Sequence, residues 1–72
     1  MKTTVKLNYS LKEEGYSEAD RQFEEKEFKA LTGDISATIK KIDDNTLIHE
    51  YETSKNIGWY WRNMEDCTIS HE

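Results

Sequence analysis

The sequence predicts an α+β fold, in which one helix packs on a small antiparallel sheet of four to five strands ordered β-α-β-β-β, with a short extra C-terminal strand as the fifth. Three observations lead there. Apolar residues alternate with polar ones near the N-terminus, which is the pattern of a half-buried strand. A helix start signal and a helix stop signal bracket residues 18 to 32. Alternation then returns and persists to the C-terminus. A helix covering one face of an antiparallel sheet is the economical way to bury these apolar faces within 72 residues, read as one compact domain, 1–72.

The first strand is expected over Thr4 to Leu11. Val5, Leu7, Tyr9 and Leu11 share one face, and Lys6, Asn8 and Ser10 the other. Ser17 followed by Asp20 is a capping-box spacing. Acids in the first turn suit the positive end of the helix dipole. Gly33 fits the position after the last turn, where a left-handed backbone is needed. The expected apolar face is Ala19, Phe23, Ala30 and Leu31, with Phe28 off to one side. An alternative divides the segment into a short strand up to Phe23 and a helix from Glu24 to Thr32. The Glu-, Lys- and Ala-rich interior, free of β-branched residues, favours the long helix.

Ile35 to Thr53 reads as a β-hairpin turning at Asp43-Asp44-Asn45, with Asn45 suited to a left-handed conformation. Ile35, Ala37 and Ile39 alternate, as do Leu47, His49 and Tyr51. A three-residue loop would pair Ile39 with His49 and Ala37 with Tyr51, keeping the apolar sets together. A two-residue loop would place Ile39 opposite Glu50 and send the sets to opposite faces, so the first register is expected. Ile57 to Trp61 is the next expected strand, Asn63 to Asp66 a turn, and Cys67, Ile69 and His71 the alternating positions of the last.

Charged residues make up 35% of the chain and hydrophobic residues another 35%. Patterned apolar positions and eight aromatics argue for a folded chain with a thin core. A homodimer would be one way of covering such a core. No apolar run is long enough to cross a bilayer, the N-terminus lacks the apolar stretch of a secretory signal, and the lone Cys67 cannot form an internal disulfide. These features suggest a reducing, cytoplasmic setting. Asn8-Tyr9-Ser10 matches a glycosylation acceptor, but the alternation makes Asn8 a strand residue.

The net charge is −5, and it resides in one segment. Between Glu13 and Glu27 lie seven acids (Glu13, Glu14, Glu18, Asp20, Glu24, Glu25, Glu27) and two bases (Arg21, Lys26). The remaining residues hold eight acids and eight bases and are neutral overall. Carboxylates on a rigid helix can occupy positions otherwise taken by phosphates, and their field attracts basic surfaces while repelling nucleic acid. The bland alternative is a solvated helix face. Trp59-Tyr60-Trp61-Arg62 is a second candidate surface, since aromatics and arginine supply much of the energy at protein interfaces. Trp59 and Trp61 share a face that suits core packing, so Tyr60 and Arg62 are the better contact candidates.

Other chemistries are weakly represented. The lysines are scattered, which argues against direct nucleic-acid binding unless Lys6, Lys40 and Lys55 gather on one sheet face. Asp43-Asp44-Asn45 lacks calcium-loop spacing, and His49, Cys67 and His71 lack zinc-ligand spacing. No nucleophile elbow, phosphate loop or dinucleotide fingerprint is present, so no enzyme, cofactor or metal is expected.

In size, acidity and its lone α+β domain, the chain is similar to small acidic proteins of bacteriophages and mobile elements, among them anti-CRISPR proteins and inhibitors of DNA-processing enzymes. That resemblance implies a non-enzymatic inhibitor of DNA-mimic type, docking an acidic helix on a basic surface of a nucleic-acid-handling host protein. No residue role carries over with it. The alternatives are a self-associating assembly subunit and a nucleic-acid-binding β-module.

Overall fold

The computed structural model describes residues 1–52 and 65–71. The element order is β1 (Lys2–Leu7), α1 (Glu18–Thr32), β2 (Thr38–Asp43), β3 (Thr46–Glu50) and β4 (Cys67–His71). The four strands form one antiparallel sheet in the order β2-β3-β1-β4. Both β1 and β2 run antiparallel to β3, so they are parallel to each other with β3 between them. α1 is the crossover that such a parallel relationship requires. The expected strand Ile57–Trp61 lies outside the described residues.

Register gathers the core. Val5 pairs with Leu47 and Ile69, and Thr3 pairs with His49 and His71. Because side chains alternate across a strand, Thr3, Val5, Leu7, Leu47, His49 and Ile39 all face the helix side. All of them are buried. Lys2, Thr4, Lys6, Lys40, Ile48 and Glu50 face the other way.

β1 ends at Leu7, four residues earlier than the alternation suggests. The chain bends there because its backbone finds other partners. Leu7 N–H donates to Asn45 O at 2.8 Å, Asn8 N–H to Asp66 O at 3.0 Å, and Leu11 N–H to Asp44 O. Leu11 is still buried, at the bottom of a turn that Gly15 closes with φ 75°.

The hairpin adopts the expected pairing of Ile39 with His49 by an unexpected route. Its turn has only two residues between Asp43 and Thr46, and a bulge at Ile42 restores the register. A bulge adds one residue to one strand, which here cancels the one-residue slip of the shorter turn. Asn45 is not left-handed, since no described non-glycine residue has positive φ. The turn is held instead by the Asp43 carboxylate, which accepts from Asn45 N–H at 3.0 Å. Ile35 lies outside β2 and is 91% exposed.

The helix has the expected ends. Ser17 and Asp20 form a reciprocal capping box, and Gly33 is left-handed at φ 72° with its N–H on Lys29 O. Its inward face is different. Phe28 is fully buried, at 4.9 Å from the His49 ring and edge-on to Tyr51 at 5.4 Å. Phe23 is 64% exposed, Ala19 and Ala30 are exposed, and Leu31 is only half-buried. The stripe that meets the sheet is Arg21, Glu25, Phe28 and Thr32, at helical spacing. The reason lies in what the helix covers, which is β2, an edge strand among the described residues. An edge strand presents unpaired N–H and C=O groups that need polar partners. Arg21 Nη1 donates to Ile39 O at 2.6 Å, and Glu25 Oε2 accepts from Ile39 N–H at 2.9 Å. Apolar side chains could not have met those groups.

Candidate partner-docking surface

The seven acids of the segment fall into distinct environments. Glu13 and Glu14 project from the turn before α1 and are exposed. Glu27 is exposed on the helix. Among the described residues no ion pair reaches any of these three. Glu18 sits in the first turn, paired with Arg21 at 2.7 Å. That guanidinium holds its carboxyl below the usual range. Asp20 is engaged by the cap, and the Ser17 backbone N–H, with the Ser17 hydroxyl, holds its carboxyl down as well.

Glu25 departs from the others. Its side chain is 19% exposed and bridges Arg21 at 2.8 Å, Lys29 at 3.4 Å and the Ile39 amide. Burial pushes this carboxyl up, but the Ile39 N–H, Arg21 and Lys29 together outweigh burial and leave it below the ordinary glutamate value. Arg21 is turned inward with it, and both carboxylate partners raise its pKa. One of the segment's two bases is therefore drawn from the outer surface into the helix–sheet contact.

Glu24 is half-buried beside an open groove of about 670 Å³. Aromatic rings of Tyr9, Tyr16 and Phe23 line this groove above Leu11, with the carboxylates of Glu14, Asp20, Glu24 and Asp66. Strand alternation and helical periodicity place Tyr9 and Phe23 on expected core faces, and neither pattern includes Tyr16. The signal was the capped helix start, because it fixes Phe23 one turn after Ser17-Asp20 and beside the preceding turn.

Tyr60, Arg62, Trp59, Trp61 and Lys55 lie outside the described residues. Lys6 and Lys40 do share the sheet face away from the helix, joined there by Lys2, and Lys40 is paired with Glu50 at 3.6 Å. Cys67 is buried, and His71 Nδ1 lies 3.0 Å from Thr3 Oγ1. Among the described residues there is no group of three metal-ligating side chains, and no helix is long and apolar enough to cross a membrane. Compared with known proteins, the chain matches no family model, no curated protein and no solved structure.

Proposed function

We propose that this protein is a non-enzymatic binding module that docks its acidic turn and helix on a basic surface of a nucleic-acid-handling protein, and blocks that surface. One observation carries the reading. Arg21 turns toward Ile39 while pairing with Glu18 and Glu25, so Lys26 is the one exposed base left against the acids on the outer side of residues 13–27. Glu13, Glu14 and Glu27 are exposed there, and Glu18 and Asp20 stay ionised well below neutral pH. A rigid capped helix holds these charges in fixed positions, which favours steering and register on a complementary surface. The inhibitor style of bacteriophage and anti-CRISPR proteins belongs to this proposal.

The test is capture of partners from a host lysate with the intact protein and with a variant carrying Glu13→Lys, Glu14→Lys and Glu27→Lys. Glu25 is left untouched because it holds β2. The proposal expects a basic, nucleic-acid-binding partner that the native protein retains and the variant loses. Equal retention by both would overturn it.

A second reading is self-association, favoured by Ile35 at 91% and Ile42 at 55% exposure. Sedimentation at micromolar concentration separates the two, since a strict monomer counts against assembly.

A further inference from the structure

We draw no further inference here: the strongest candidate, the exposed Ile35 in the Asp34–Ala37 turn beside a cleft lined by Met1, Ser36, Thr38 and Glu52, is an apolar surface patch, and nothing in the structure shows what covers it.

Discussion

Glu25 of the helix accepts a hydrogen bond from the Ile39 amide at 2.9 Å, while Arg21, one turn earlier, donates to the Ile39 carbonyl at 2.6 Å. Together they satisfy both outward backbone groups of one residue on an edge strand. The arrangement docks the helix and closes part of that edge to other chains. Replacing Glu25 with leucine removes a charge-assisted acceptor and leaves Arg21 without one of its two carboxylates. The expected loss of stability is about 1.5–3 kcal/mol, read from denaturant unfolding. Glu25→Gln keeps an acceptor and should lose less.

The same carboxylate sets a pH dependence. Its folded pKa lies below the ordinary glutamate value of 4.5. The unfolded chain therefore binds more protons in the acidic range, and stability rises with pH there. The contribution of Glu25 is complete above about 4.5 and is lost as pH falls through its lower folded value. Asp20 and Asp43, held down by backbone N–H groups of Ser17 and Asn45, act in the same direction from the ordinary aspartate value of 3.8. Thermal unfolding should show stability flat near neutrality and declining below that range, with a shallower decline in Glu25→Gln. An identical decline in the two proteins would remove Glu25 from the account.

The two phenylalanines of the helix should behave oppositely. Phe28 is fully enclosed against His49 and Tyr51, and its replacement by alanine is expected to cost about 3–5 kcal/mol. For so small a domain that approaches the entire stability. Phe23→Ala should change stability by about 0.5 kcal/mol or less, as exposed substitutions do. Chemical denaturation of the pair checks the inward face directly.

Helix ends give a third contrast. Ser17→Ala removes the hydroxyl that accepts from Asp20 N–H, and should cost about 1 kcal/mol. Gly33→Ala places a Cβ on a residue at φ 72° and should cost about 1 kcal/mol. Both changes lie at opposite ends of the helix and should be additive.

Much of this fold was legible from local chemistry. Ser17, Asp20 and Gly33 mark the helix to the residue because capping is a short-range hydrogen-bond problem. The pairing of Ile39 with His49 was legible because one slip would have exposed every apolar side chain of the hairpin. The route to that register was not, because a shorter turn plus a bulge at Ile42 gives the same pairing as a longer turn. The buried face of the helix is not legible from apolar periodicity, for a different reason. Counting apolar residues around the helix assumes that it meets an apolar surface, whereas α1 meets the polar edge of β2. Arg21 and Glu25 look like solvated charges in one dimension, and only the pairing of distant segments reveals their role. The acidic surface was legible as charge, but the groove was not, because Tyr9, Tyr16 and Asp66 reach Phe23 only through the bend after Leu7.

In the proposed function the outer acids compete with nucleic acid for a basic surface. The direct measurement is displacement of a labelled oligonucleotide from the captured partner by this protein, followed from about 0.1 M to about 1 M salt, where screening shortens from about 10 Å to about 3 Å. The native protein should displace the oligonucleotide at the lower salt and lose affinity steeply as salt rises, and the Glu13, Glu14 and Glu27 reversal should fail to displace it at any salt. Undiminished displacement by that variant, or affinity indifferent to salt, would contradict the account.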